Sequence, residues 1–558
     1  MVGAIAVIDT VIDRAAPVTR SASIVSPSLD AHRGQPAGLL RITALLAMLV
    51  LLGAVGGCAS TRPDAPRSVS HAIDVGTGTS LGRAFAEQAA RHPGLSGFRL
   101  LVSGRQALSA RATLAATAEH TIDLQYFSVG DDLTVDLLLG AIVAAADRGV
   151  RVRILLDDIA ATSRRFAWRA IAAHPDIQVR LFNPFRFSGN SFGPARIVEF
   201  AFRHERLNRR MHNKLWVTDN AAAIVGSRNL SAEYFEANDL ANFNDVDLLA
   251  VGPVVDDMSK AFDLYWNDAA AVPAADLIDA PTVDDGAAER RRLHRREAAC
   301  AGRPPCSWLR ESGTAEDLRS GNVTLAWASA QFVYDLPDRV KSEVPSGIEH
   351  GWIEDHPGGI RTREEILIVT PYLVPSPAGL RHLEQMRQRD VRVAILTNSL
   401  DSTDSVAAHA GYARHRPALV RAGVELHEIR LAAGQEHERT HLWGLATPSS
   451  LHAKFSVQDR KRVIIGSQNQ DPRSRLLNTE AWIVVDSAAL AAELVALFEE
   501  GSAAEHAYRV RLGAAAGTLI WETEEDGRMV RFADEPAVGS TLILWRKILG
   551  HLIPEGML

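Results

Sequence analysis

A 19-residue pattern occurs twice in this 558-residue chain, as MHNKLWVTDNAAAIVGSRN at 211–229 and LHAKFSVQDRKRVIIGSQN at 451–469. In each copy a Lys follows the His by two residues, an Asp by seven, a Gly by fourteen and an Asn by seventeen. Core packing asks for apolar residues at regular spacing, not for His, Lys, Ser and Asn duplicated at fixed offsets. A lone His-x-Lys is ordinary surface, and GSRN alone is an ordinary turn. Their duplication therefore requires two copies of one structural unit presenting the same polar set.

The flanking sequence repeats as well. HTIDLQYF (120–127) and GVRVRILLDD (149–158) read as β-rich apolar runs around the helical stretch DLLLGAIVAAADR. EEILIVTPYLVP (364–375) and DVRVAILTNS (390–399) repeat that order around LRHLEQMRQR. Strands alternating with helices imply α/β layers with a largely buried sheet. The expected division is a first domain over 96–275, a linker over 276–320 and a second domain over 321–510. The linker expectation rests on DLIDAPTVDDGAAERRRLHRREAACAGRPPC, which mixes acids, a basic run and turn residues around one helix. Within it, Arg290 to Arg292 with Arg295 and Arg296 read as a solvated helix face, the alternative being contact with anionic lipid headgroups.

Composition limits the function classes. Apolar residues make up 47% and charged residues 23%, values of a folded protein able to build real cores. A formal charge of -7 gives no general attraction to polyanions, so no nucleic-acid partner is expected.

The N-terminal part reads as an address. ITALLAMLVLLGAVGG (42–57) is apolar apart from Thr43, follows Arg33 and Arg41 and ends at Cys58. It is shorter than the ~20 residues a spanning helix needs, which favours a signal segment over an uncleaved anchor. The stretch resembles a bacterial lipoprotein signal, with VGGC as the lipobox and Cys58 as the lipidated residue. That resemblance implies an extension and signal over 1–57, an envelope tether over 58–95, and active domains anchored at a membrane on the periplasmic side of the bacterial cell envelope. Cys300 and Cys306, five residues between them, then remain as either a small disulfide or two thiols. The C-terminal segment, 511–558, contains TLILWRKILGHLIPEGML, in which Leu and Ile accompany Trp545, Arg546 and Lys547. This composition suits an interfacial helix and equally a helix packed on the core.

The repeated residues carry their own chemistry. A neutral His can attack phosphorus and a charged one can protonate a leaving oxygen, with no metal or organic cofactor needed for either. Lys supplies point charge, and Asn and Ser supply fixed hydrogen bonds, to nonbridging phosphate oxygens. Alternation in HNKLWV and HAKFSV predicts His and Lys on one face of a strand. The Asp of each copy, seven residues from the His, falls on the opposite parity and is expected to hold structure.

The two motifs resemble the His-Lys-Asp signature of the phospholipase D superfamily, over about residues 96–508. RMHNKLWV, GSRN and AEYF in the first half, with NSL, GYARHR and GVELHE in the second, look like bacterial cardiolipin synthases of the C type. The resemblance implies two similar α/β halves related by pseudo-twofold symmetry, with one active site at their interface. It implies His212 as nucleophile and His452 as general acid. Lys214, Lys454, Asn229 and Asn469 match the phosphate-binding groups, with Ser227 and Ser467 as the small polar residues beside them. Asp219 and Asp459 complete the signature.

An imidazole nucleophile also needs a carboxylate to fix its tautomer. Each half offers one on its next apolar strand, Asp247 in NDVDLLAVG and Glu480 in NTEAWIVVD. Asp245 competes with Asp247, which is preferred because it directly precedes LLAV as Glu480 precedes AWIVV. The segment holding Tyr412, Arg414 and Arg416 is expected to wall the acceptor side, with Arg414 on a second lipid phosphate. The expected function is phosphatidyl transfer forming cardiolipin from phosphatidylglycerol and a second phospholipid through a phosphatidyl-histidine. Phospholipid hydrolysis is the alternative, ahead of an exported nuclease or a binding lipoprotein without activity. The expected partners are phospholipids and the membrane surface, and no protein partner is indicated.

Overall fold

The computed structural model describes residues 68–159, 165–185, 194–277, 282–311, 313–341, 361–431, 449–515, 517–536 and 538–552. Cys58 and the segment expected to be a signal lie outside them. The chain divides into two units. One comprises Met1–Pro66 and Phe185–His204, and its described part is Phe185 and most of the helix Pro194–Leu207, which is kinked at Arg203. The other comprises Arg67–Pro184 and Glu205–Leu558 and contains both halves of the repeat.

The repeat is visible strand by strand in two sheets. Across the first run Ser96–Leu101, Asp247–Val251, Ala222–Gly226, Leu215–Thr218, Thr121–Tyr126, Arg151–Asp157, Ile177–Phe182 and Ala271–Pro273. Across the second run Ala330–Tyr334, Ala481–Asp486, Arg462–Gly466, Phe455–Gln458, Glu365–Val369, Arg392–Asn398, Glu425–Ile429 and Ala507–Leu512. In both, three central strands are parallel and the flanking ones antiparallel. The parallel strands need crossover helices, supplied by Leu133–Asp147 and Pro377–Gln388. Asp132 and Ser376 cap their N-termini by accepting from Thr134 and Val135, and from Gly379.

Alternation along the strands sorts side chains into layers. Leu215 and Val217 share one cluster with Phe455, Val457 and the helices Val254–Trp266 and Ala488–Gly501. Trp216, one residue out of phase, belongs instead to the cluster on the far side of the first sheet. A third cluster lies beyond the second sheet. The chain is thus a mixed α/β protein with two sheet-rich halves that share a common core. Each fully buried Leu, Val or Phe there contributes about 1.5–3 kcal/mol.

The structure departs from the expected segmentation in three places. The linker is helical, over Val283–Cys300, Cys306–Glu311 and Gly313–Ser320. Arg292 and Arg296 reach the buried Asp136 at 2.7 and 2.8 Å, which fastens the first of these helices to Leu133–Asp147. Cys300 and Cys306 form a disulfide, with Cα atoms 5.8 Å apart. Second, Ala326–Ala328 pairs with Ser96–Leu101 of the first sheet before Ala330–Tyr334 joins the second, so the halves meet at adjoining sheet edges. Third, the tail begins as strands, Leu519–Glu525 and Arg528–Phe532, which extend the second sheet. It ends in the helix Ser540–Leu552, packed on Val406–Arg421 with Leu544, Trp545 and Ile548 turned outward. Among the described residues no helix is long and apolar enough to cross a membrane.

The signature aspartates sit where the repeat turns. Asp219 and Asn220 in one copy, Asp459 and Arg460 in the other, have φ between 49° and 53° in the tight turns after Leu215–Thr218 and Phe455–Gln458. Asp tolerates this left-handed region better than most residues. The buried Asp219 carboxylate accepts backbone N–H groups from Glu119, His120 and Thr121, and Asp459 accepts those of Arg363, Glu364 and Glu365. Each ties its turn to the start of the neighbouring parallel strand. Asp219→Ala is expected to destabilise the protein by about 3 kcal/mol, through lost charge-assisted hydrogen bonds, while the folded fraction keeps its turnover. Denaturant unfolding with activity normalised to folded protein checks this.

Candidate active site

His212 and Lys214 lie in the extended segment just before Leu215–Thr218, and His452 and Lys454 just before Phe455–Gln458, not on the strands themselves. The two-residue spacing still brings each pair together, since each Lys Nζ donates to the carbonyl oxygen of its own His at 2.7 Å. The histidine backbones are pinned to the opposite half. His212 N–H donates to the Thr479 carbonyl at 2.9 Å, and His452 N–H to that of Asn244 at 2.8 Å.

The same crossing holds the side chains. His212 Nδ1 stands 2.8 Å from Glu480 Oε2, and His452 Nδ1 stands 2.7 Å from Asp245 Oδ2. The carboxylate beside each imidazole therefore comes from the other half of the chain. Glu480 lies where the sequence puts an orienting acid, but in the first half the residue is Asp245 and not Asp247. The register explains the correction. Gly226 is paired with Asp247 and Gly466 with Trp482, so Asp247 corresponds to Trp482, and Asp245, two residues earlier, corresponds to Glu480. Both glycines are needed for this fit, since a Cβ would come within 2.7 Å of Asp247 Cα or 2.5 Å of Trp482 Cα. Asp247 meets the buried Arg111 at 2.8 Å, with Arg228 at 3.5 Å.

The motif serines also take a different place. Ser227 Oγ donates to Asp245, and Ser467 Oγ donates to Glu480 at 2.5 Å. They hold the orienting carboxylates where phosphate contact was expected. Asn229 donates to the Tyr234 hydroxyl at 2.8 Å and accepts from Ser128 N–H at 3.2 Å. Asn469 keeps a buried side-chain oxygen without a partner, which leaves that amide open to a ligand. Arg414 is exposed on the helix Val406–Arg421, and its guanidinium lies close enough to Gly550 that a Cβ there would stand 3.8 Å away. Tyr412 and Arg416 turn inward to the buried Glu428, at 2.6 and 2.7 Å, and not towards the imidazoles.

Several site residues carry no motif signal. Phe127 stands edge-on to the His212 ring at 4.9 Å, while Tyr234 at 4.9 Å and Phe243 at 5.2 Å border His452. The Tyr234 hydroxyl reaches to 3.5 Å from His452 Nε2. Arg228 binds the backbone oxygens of Tyr234 at 3.1 Å and Asp245 at 2.6 Å, which fixes both neighbours of His452. Only AEYF, beside the first motif, marks Tyr234 in the sequence.

Burial sets the charge state of the site. It holds His212 well below the usual imidazole range, helped by Lys214, Lys454 and Arg473, and lowers His452 to about 4 against the pull of Asp245. Burial likewise lowers Lys214 to about 7 and Lys454 to about 8, despite Glu480 and Asp245. The two carboxyl groups differ. Burial raises Glu480 to about 7 in spite of Lys214 and Ser467, whereas burial of Asp245 is outweighed by His452, Arg228 and Lys454, which keep it ionised. Two imidazoles with Nδ1 held and Nε2 left for chemistry, two lysines and an open amide form a phosphoryl-transfer site of the phospholipase D kind.

The model of the cardiolipin synthase, PLD-like domain matches residues 112–266 and 360–501. Cardiolipin synthase C of Escherichia coli K12 is 36% identical over 478 residues, covering 83% of this chain and 95% of that protein. An uncharacterized protein of Helicobacter pylori strain 26695 is 29% identical over 84% of this chain and 92% of its own length. Cardiolipin synthase B of Escherichia coli K12 is 25% identical, over 69% and 76%. The chain belongs to the cardiolipin synthase, PLD-like family, and is a phosphatidyltransferase-class enzyme of the phospholipase D superfamily.

The two acids of the first half separate in experiment. Asp245→Asn is expected to lower turnover about 10³–10⁴-fold with folding retained, because His452 loses the charge that fixes its tautomer. Asp247→Asn leaves Arg111 without its carboxylate and is expected to cost about 3–5 kcal/mol of stability while turnover per folded molecule stays near wild type. Steady-state kinetics beside denaturant unfolding checks both. The lysines give a pH signature. A bound oxyanion raises their pKa values, so binding takes up protons, and tungstate affinity is expected to fall as pH rises through about 7 to about 8. Titration calorimetry in buffers of different ionisation enthalpy reads both the affinity and the protons.

Proposed function

We propose that the protein makes cardiolipin, by moving a phosphatidyl group from one phospholipid to the hydroxyl of phosphatidylglycerol through a covalent histidine intermediate. His212 Nε2 attacks phosphorus, the bond from phosphorus to the headgroup oxygen breaks, and His452 gives its Nε2 proton to the departing alcohol. His452 then removes the proton of the acceptor hydroxyl, whose oxygen attacks phosphorus as the phosphorus–nitrogen bond to His212 breaks. With phosphatidylglycerol in both roles the products are cardiolipin and glycerol.

The observation that carries this reading is the hold of Glu480 and Asp245 on the Nδ1 atoms of His212 and His452, which leaves both Nε2 atoms for the phosphodiester. Asp245 stays ionised, so it stabilises an imidazolium on His452, the state a general acid needs. Glu480 holds its proton more readily, so His212 is the harder ring to charge and the better one to keep as a free nucleophile. A bound phosphodiester offsets Lys454, which otherwise depresses both rings, and Lys214, which depresses His212, and so lets His452 take up its proton as substrate arrives. The choice of cardiolipin is supported by the similarity to cardiolipin synthase C over most of both chains.

The same reading puts the enzyme in the bacterial cell envelope, anchored through Cys58 with its active domains on the periplasmic side. The apolar 42–57 run and the disulfide between Cys300 and Cys306 support export. The C-terminal helix supports contact with a bilayer, since it turns Leu544, Trp545 and Ile548 outward beside the exposed Lys547.

Incubation of the purified enzyme with vesicles of phosphatidylglycerol, with and without phosphatidylethanolamine, tests the product. Cardiolipin is the expected main product, with release of the headgroup alcohol. Phosphatidic acid alone at every lipid density replaces transfer by hydrolysis.

A further inference from the structure

Asp404 is an exposed carboxylate beside a site built for an anion. It lies in the loop between the strand Arg392–Asn398 and the helix Val406–Arg421. Its Oδ2 accepts a hydrogen bond from the Tyr372 hydroxyl at 2.7 Å, and among the described residues it has no ion-pair partner. It does not cap the helix, a role filled by Ser405, whose hydroxyl accepts from Ala408 N–H. Asn398, where this loop begins, exchanges hydrogen bonds of 2.8 and 2.9 Å with the backbone of Leu451, the residue before His452, and Ser402 donates to the Asn398 side chain at 3.1 Å, which places the loop on the His452 side of the site. The His212 side is the reverse, with Phe127 against the ring and the cationic Arg473 nearby.

A carboxylate here repels the phosphodiester, so its presence calls for another partner. In the reaction above, the leaving and the entering alcohol both exchange a proton with His452, and both headgroups therefore sit at this end. A carboxylate only accepts hydrogen bonds, so its partner must donate. Resting on that phosphatidyl-transfer reading, we propose that Asp404, oriented by Tyr372, selects the headgroup alcohol by pairing with a donor on the carbon next to the ester carbon. The 2-hydroxyl of glycerol and the ammonium of ethanolamine both meet this requirement, and ethanol does not. Asp404 is then a specificity-determining residue, and Tyr372 positions it.

Headgroup release by the full-length enzyme from phosphatidylglycerol, phosphatidylethanolamine and phosphatidylethanol, each in vesicles of fixed composition, tests the assignment. Asp404→Ala is expected to lower the selectivity in kcat/KM for glycerol and for ethanolamine over ethanol by about tenfold. Tyr372→Phe is expected to lower it in the same direction by less. Asp404→Asn separates the two donors, because the amide oxygen still accepts from a hydroxyl but offers no charge to an ammonium, so its loss falls mainly on phosphatidylethanolamine. Equal losses on all three lipids in Asp404→Ala, or selectivities within about twofold of wild type, overturn the assignment alone. A wild-type enzyme that releases no headgroup from any of them overturns the transfer reading together with it.

Discussion

Each motif imidazole is gripped by a carboxylate from the other half of the chain, and the rest of the architecture serves that exchange. Glu480 reaches His212 and Asp245 reaches His452, while Ser467 and Ser227 hold those acids from behind. Neither half alone has both members of a pair, because each supplies the imidazole of one and the carboxylate of the other. The backbone pairings of His212 with Thr479 and of His452 with Asn244 fix the register of the exchange. The large core shared by the two sheets makes it rigid.

Burying so many ionisable groups is costly, and the arrangement converts that cost into reactivity. Without substrate the low dielectric holds both imidazoles neutral and lowers both lysines towards neutrality. The phosphodiester brings the missing negative charge, so the site is completed electrostatically by what it binds. The two halves repeat the same parts, yet an Asp in one and a Glu in the other, with Tyr234 beside His452, make the surroundings of the two imidazoles unequal.

Much of this is legible in the sequence. Identical offsets in 211–229 and 451–469 announce the duplication, and alternating strands and helices announce the layers, because both are local patterns. Parity alone predicts a structural role for Asp219 and Asp459, though not the turns they occupy. The misplacement of the first-half acid has a specific cause. Both Asp245 and Asp247 point to the same side of an extended chain, so alternation cannot separate them, and only the cross-strand pairing of Gly226 with Asp247 decides. Ser227 and Ser467 look like phosphate ligands because a hydroxyl suits either partner. Arg292 and Arg296 look solvated because their partner, Asp136, is far away in sequence.

The central claim is that the crossed acids assign nucleophile and general acid to different halves. Rapid quenching of a reaction with a phosphatidyl ester of an activated phenol, followed by peptide mass spectrometry, tests it directly in the wild type and in His452→Ala. An activated leaving group needs little protonation, so the variant is expected to form the covalent adduct and to accumulate it, with the phosphatidyl group on His212. An adduct found on His452 in the wild type, or none in either protein, would contradict the account.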